Sequence, residues 1–261
     1  MNRIDQTFTR LKENNEKALI AFITGGYPDI QTTEQLILTI IEAGADLIEI
    51  GIPFSDPVAE GPVIQEASEG ALAAGCTVDL LFDMVKRVRQ HSDIPLLFMT
   101  YANPVYVYGK ERFMKRCNEV GIDGVIIPDV PFEEKDEFID SCQDHEIHMI
   151  PLIAPTSGER ARHIAMEATG FLYCVSSLGV TGVRDVLQTN VAPLIQHIRS
   201  VSDIPCAIGF GISNAEQARS MASHADGVII GSAIVTLVLK YKQDCFEPVR
   251  QFIMDVKRAI S

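Results

Sequence analysis

Eight short apolar runs recur along the chain, separated by amphipathic stretches of helical length, and this alternation limits the fold more than any other feature. The runs are Ala18–Thr24, Asp46–Ile50, Leu96–Thr100, Gly124–Ile127, His148–Ile153, Phe171–Ser176, Pro205–Gly209 and Gly227–Ile230. Runs of this length with little polar alternation read as parallel strands covered on both faces. Helical periodicity is visible in Thr33–Ala43, Leu80–Gln90, Lys110–Glu119, Glu133–Asp144 and Asn214–Ser223. Eight such βα units close into a (β/α)8 barrel, the TIM barrel, more readily than they form an open sheet. An open doubly wound sheet is the alternative. Against it, the first junction, Thr24-Gly25-Gly26-Tyr27-Pro28, is not the G-x-G-x-x-G dinucleotide fingerprint. Extra helices are expected at both ends, over Arg3–Asn14 and Glu247–Ala259. The 261 residues contain no linker or low-complexity segment, so residues 1–261 read as a single barrel domain. Ser213 with Glu216, and Thr156 with Glu159, have capping-box spacing. Three stretches, AGADLIEI, VGIDGVIIPD and SHADGVIIG, repeat one cadence from helix end into strand.

Composition narrows the function. The formal charge is −13, from 22 basic and 35 acidic residues, which argues against nucleic acid as a partner. An anionic small molecule stays open, because backbone N–H groups hold phosphate without lysine. The six cysteines are scattered, with no Cys-x-x-Cys, so neither a zinc site nor a disulfide framework is expected. Reduced thiols and a polar N-terminus without a visible secretory signal point to the cytoplasm, and no apolar run reaches membrane-spanning length.

In a barrel, chemistry belongs at the C-terminal ends of the strands. The second run carries an acid, Glu49, one residue before its end. Strand alternation puts Glu49 on one face with Leu47, and Ile48 on the other with Ile50. A carboxylate among Leu and Ile must be compensated or take a raised pKa, and a raised pKa suits a general acid/base. A structural acid bonded to a neighbouring strand is the plainer reading. Asp56 and Glu60 follow in a loop stiffened by Pro53, Pro57 and Pro62, which can present Phe54, Pro57 and Val58 as an apolar docking patch. The loops after the third and fourth strands, Tyr101-Ala102-Asn103-Pro104 and Pro128-Asp129-Val130-Pro131, lie on the same barrel face. Gly209-Phe210-Gly211-Ile212-Ser213 and Gly231-Ser232-Ala233 stand after the last two strands, where barrels commonly bind phosphate. The run Ser177–Arg184, with Gly179 and Gly182, suits a lid. No histidine has metal-site spacing. From residues alone the chain is a phosphate-binding barrel enzyme with a carboxylate acid/base, a description that also admits sugar-phosphate isomerases and epimerases.

The stretch Leu47 to Gln65, with Phe22–Pro28, Tyr173–Ser176, Gly179–Gly182, Gly209–Ser213 and Gly231–Val235, resembles the α subunits of tryptophan synthase over essentially the whole chain. The resemblance implies a lyase that cleaves indole-3-glycerol phosphate in a retro-aldol step to indole and glyceraldehyde 3-phosphate. By the family pattern Glu49 is the acid/base. Glu60 matches a second acid that is usually aspartate; here it is one methylene longer, and Glu60→Asp is expected to keep or raise activity. Gly182, Phe210, Gly211, Gly231 and Ser232 match the phosphate cradle, Phe22 and Tyr173 line the pocket, and Thr181 matches a lid threonine. Pro53, Asp56, Pro57, Asn103 and Pro131 would face a β subunit carrying pyridoxal phosphate in an α2β2 complex. No cofactor or metal is implied for this chain. A stand-alone lyase, or a weakly catalytic barrel that activates the β subunit, are the alternatives.

Overall fold

The computed structural model describes residues 1–175, 191–209 and 211–261. The strands are β1 (Ala18–Thr24), β2 (Leu47–Gly51), β3 (Leu96–Met99), β4 (Gly124–Ile126), β5 (His148–Met149), β6 (Leu152–Ile153), β7 (Leu172–Val175), β8 (Cys206–Gly209) and β9 (Gly227–Ile230). They form one parallel sheet in the order β5-β4-β3-β2-β1-β9-β8-β7-β6. The two ends of that order are halves of one chain run, parted only by Ile150 and Pro151. Proline has no N–H for a ladder, which accounts for the break. The run still joins both neighbours: the Ile150 N–H donates to Val125 and the Pro151 carbonyl accepts from Tyr173. The ring is thereby closed, and the fold is a (β/α)8 barrel. The expected fifth strand is this interrupted pair.

Alternate residues divide between two cores. Ile20, Phe22, Leu47, Leu97, Ala207 and Ile229 pack inside the ring. Leu19, Ala21, Ile23, Ile48, Ile50 and Phe98 pack outward against the helices. The inward parity of β2 is that of Leu47, so Glu49, two residues on, shares it.

The helices are α1 (Arg3–Glu13), α2 (Ile30–Glu42), α3 (Pro62–Ala73), α4 (Val78–Val88), α5 (Ala102–Tyr108), α6 (Lys110–Val120), α7 (Asp136–Asp144), α8 (Arg160–Glu167), α9 (Ala192–Arg199), α10 (Ala215–Ala222), α11 (Ser232–Tyr241) and α12 (Phe246–Ile260). Both expected terminal helices are present as α1 and α12. Ile4, Phe8 and Leu11 of α1 join the inner core, so this helix plugs the N-terminal end of the ring. Pro62 opens α3, at a position where its missing N–H costs nothing. Both expected capping boxes are displaced. Asn214, not Ser213, caps α10 by accepting from the Gln217 N–H. Thr156 lies in a short 3-10 turn, Pro155–Ser157, and α8 begins only at Arg160.

The repeated cadence has a structural basis at the N-terminal end of the barrel. Asp46, Asp123 and Asp226 each stand just before a strand, and each bonds twice to the strand beside it. Their own N–H groups donate to the carbonyls of Leu19, Leu96 and Cys206, all at 2.8 Å. Their carboxylates accept from the N–H of those same residues, all at 2.9 Å. Cations neutralise each one: Lys257 at 2.6 Å from Asp46, Arg89 at 2.7 Å from Asp123, and Arg199 at 3.1 Å from Asp226.

Candidate active site

At the opposite end, Glu49 is 0% exposed. It sits between Phe22 of β1 and Leu97 of β3 in the ladder. Neither carboxylate oxygen has a hydrogen-bond partner among the described residues. Burial alone pushes its pKa from the usual carboxylate range up to about 8. The plainer reading, an acid bonded to a neighbouring strand, therefore has no support in the geometry. Phe22 lies over this region. A side chain at Gly51 would meet its ring at 2.7 Å, and one at Gly231 would meet it at 3.1 Å. The two glycines leave room for one aromatic ring across the barrel mouth. Tyr173, also inward and 5% exposed, is held as a phenol, first by burial and then by the nearby Glu49 carboxyl.

Glu60 is 9% exposed at the end of the loop after β2. Its pKa is raised, chiefly by burial, while the Tyr101 hydroxyl opposes the rise and Asp129 adds to it. Phe22, Glu60, Met99, Tyr173, Gly211, Gly231 and Ser232 line one small cavity of about 30 Å³. The ring of β strands thus brings together residues that are far apart in sequence. Gly211 has a positive φ of 83°, a conformation that suits glycine. The first turn of α11, from Ser232, has no side-chain cap, so its leading N–H groups face the cavity end of the helix. Thr181, Gly182 and Phe210, and the run Ser177–Arg184, lie outside the described residues.

The expected partner residues are spread over one face. Asp56, Asn103 and Pro131 are exposed, and Pro57 is half-buried. Pro53, in the same loop, is buried, so it does not stand on that face. Of the expected apolar patch, Val58 is 71% exposed, whereas Phe54 turns in against the Tyr101 ring at 5.3 Å.

Three features were not anticipated from sequence. Tyr106 and Val107 of α5 are 48% and 81% exposed and extend the apolar surface of that face. Thr24 ends β1 on the inward side, 5% exposed, with no partner for its hydroxyl among the described residues. Tyr101, read only as part of a loop, donates its hydroxyl to Glu60. The first could have been found from the spacing of apolar residues in a short helix; the other two depend on distances that sequence does not carry. Among the described residues, no group of three or more His, Cys, Asp or Glu could hold a metal ion, and no helix is long and apolar enough to cross a membrane.

Comparison with known proteins bears on the fold and the family. Residues 8–260 match the family described as tryptophan synthase alpha chain. A tryptophan synthase alpha chain from Caldanaerobacter subterraneus is 45% identical, over 100% of both chains. One from Alkaliphilus metalliredigens is 49% identical, over 90% of this chain and 88% of its own. The crystal structure of a tryptophan synthase subunit alpha from Legionella pneumophila superposes with a TM-score of 0.90 at 36% identity, covering 100% of this chain and 98% of that one. A Mycobacterium tuberculosis tryptophan synthase structure gives a TM-score of 0.91 at 33% identity, over 99% and 98%. With the barrel closed and this likeness along the full length, the chain belongs to the tryptophan synthase alpha chain family.

Proposed function

We propose that Glu49 carries the lyase chemistry of this alpha chain on indole-3-glycerol phosphate. The observation that carries this reading is the buried carboxyl inside the barrel, without a hydrogen-bond partner among the described residues and with its pKa pushed up to about 8. At neutral pH it is protonated. It gives its proton to the indole ring carbon that bears the glycerol chain, which turns the indole into a leaving group. The resulting carboxylate takes the proton of the neighbouring glycerol hydroxyl. The carbon–carbon bond then breaks, its electron pair returns to the indole, and the hydroxyl becomes the aldehyde of glyceraldehyde 3-phosphate. The carboxyl ends as it began, so one group serves both transfers. Glu60 faces the developing positive charge at the ring N–H and stabilises it. The phosphate is held by Gly182, Phe210, Gly211, Gly231 and Ser232, largely through backbone N–H groups and the uncapped start of α11.

Indole then passes to a β subunit that carries pyridoxal phosphate, in an α2β2 complex in the cytoplasm, and this chain needs no cofactor. Val58, Tyr106 and Val107, with Asp56, Pro57, Asn103 and Pro131, supply the face for that partner. Support comes from apolar side chains 71%, 48% and 81% exposed, on the loop after β2 and on α5.

The test is indole release by Glu49→Gln. A loss on the order of 10³-fold in kcat with KM held within about threefold is expected. Turnover within about tenfold of the parent would remove Glu49 from the chemistry.

A further inference from the structure

A glutamate at position 60 has one more rotatable bond than an aspartate, so its carboxylate is harder to hold in place. An error near 1 Å in such a group can cost about 10²-fold in rate. The surroundings of Tyr101 address that difficulty. A phenol hydroxyl has one proton to donate and two lone pairs to accept with. Tyr101 uses all three. It donates to Glu60 Oε2. It accepts from the Val58 N–H at 3.1 Å and from the Ala59 N–H at 2.9 Å. The same atom therefore holds the carboxylate and the two peptide groups just before it.

The hydroxyl is itself fixed. Tyr101 is 3% exposed and stands directly between β3 and α5. Its ring packs on Phe54 at 5.3 Å. The residue after it donates its N–H to Asp129, in the loop after β4, at 3.0 Å. The loop after β2 thus meets the phenol, and the loop after β4 holds the backbone beside it. The Gln65 side chain donates to the Glu60 carbonyl at 2.8 Å, which holds the backbone, and Tyr101 is the side chain that bonds the carboxylate among the described residues.

We propose that Tyr101 is the positioning residue for Glu60, a clamp that sets the reach of the longer acid so that its carboxylate lies where the ring charge develops. The proposal rests on the reading of Glu60 as the second acid. It also reverses the expectation for Glu60→Asp: the shorter side chain withdraws from the hydroxyl that holds it.

The experiment is a double-mutant cycle on the full chain in complex with a tryptophan synthase β subunit. Tyr101→Phe and Glu60→Gln are combined, and kcat and KM for indole release are read beside the thermal midpoint. Tyr101→Phe should lower kcat by about 30-fold with KM within about threefold. In the Glu60→Gln background the same change should cost less than about threefold more, because there is no carboxylate left to position. A full 30-fold loss in both backgrounds would assign Tyr101 a merely structural role, and a loss under threefold in the parent would also overturn the clamp. Intact turnover in Glu60→Gln would instead remove Glu60 from the chemistry, and the clamp with it. Should Tyr101→Phe not fold, Glu60→Asp decides: about tenfold lower kcat supports the clamp, and equal or higher kcat overturns it.

Discussion

The acids that lead into strands at the N-terminal end of this barrel and Glu49 near its C-terminal end are held in opposite ways. At the N-terminal end, Asp46, Asp123 and Asp226 each accept a strand N–H and face a cation within 3.1 Å. At the C-terminal end, Glu49 has neither among the described residues. Asp46 and Asp123 are nearly as deep as Glu49 and stand beside the same strands, so the fold does not impose the difference; the neighbours do. Partnered acids act as staples between adjacent strands, whereas an acid left alone exchanges charge for a pKa near neutrality. One end spends its polar groups on stability, and the other keeps them available for a substrate.

Removing a staple should do the most damage to stability. Asp123 faces Arg89, whose side chain is only 10% exposed, and Arg3. Burial raises the Asp123 pKa, and Arg89, the Leu96 N–H and Arg3 pull it back. Burial lowers Arg89 to about 10, which still leaves it charged at neutrality. Asp123→Ala leaves that guanidinium buried without its anion and should cost roughly 3 to 5 kcal/mol in denaturant unfolding. The turnover of folded molecules should not change. A loss under about 1 kcal/mol would break the contrast from the stability side.

Substitution of the unpartnered acid should act in the other direction. The folded pKa of Glu49, about 8, lies above its ordinary 4.5. Between those values the folded protein binds more protons than the unfolded chain, so stability falls as pH rises. The slope is at most roughly 1.4 kcal/mol per pH unit. Glu49→Gln should abolish that slope and be the more stable protein above pH 7. Parallel stability curves for parent and variant from pH 5 to 8 would show that Glu49 is already ionised in the fold.

Much of this contrast was legible in sequence, but unevenly. The apolar runs and the shared face of Leu47 and Glu49 follow from strand periodicity; that this face points into the ring follows from the inner core that Leu47 joins. The cadence shared by Asp46, Asp123 and Asp226 was visible as repetition, yet its role as a staple depends on hydrogen bonds between neighbouring strands. Tyr101 and Glu60 are brought together by two loops whose course no period predicts. Capping failed for a related reason: Ser213 and Thr156 had the right spacing, but the turns that end the preceding loops place the first helical residue elsewhere. The broken fifth strand shows the same limit, since Pro151 interrupts the strand without ending the wall.

The proposed chemistry stands on the protonation state of one carboxyl, which can be observed directly. Carbon-13 labelling of the glutamate side-chain carboxyls, followed by NMR from pH 4 to 10 in the parent and in Glu49→Gln, isolates its resonance. One signal missing from the variant should titrate near pH 8. If that signal instead moves at the ordinary carboxylate pH near 4.5, Glu49 is charged at neutrality and cannot be the proton donor proposed for it.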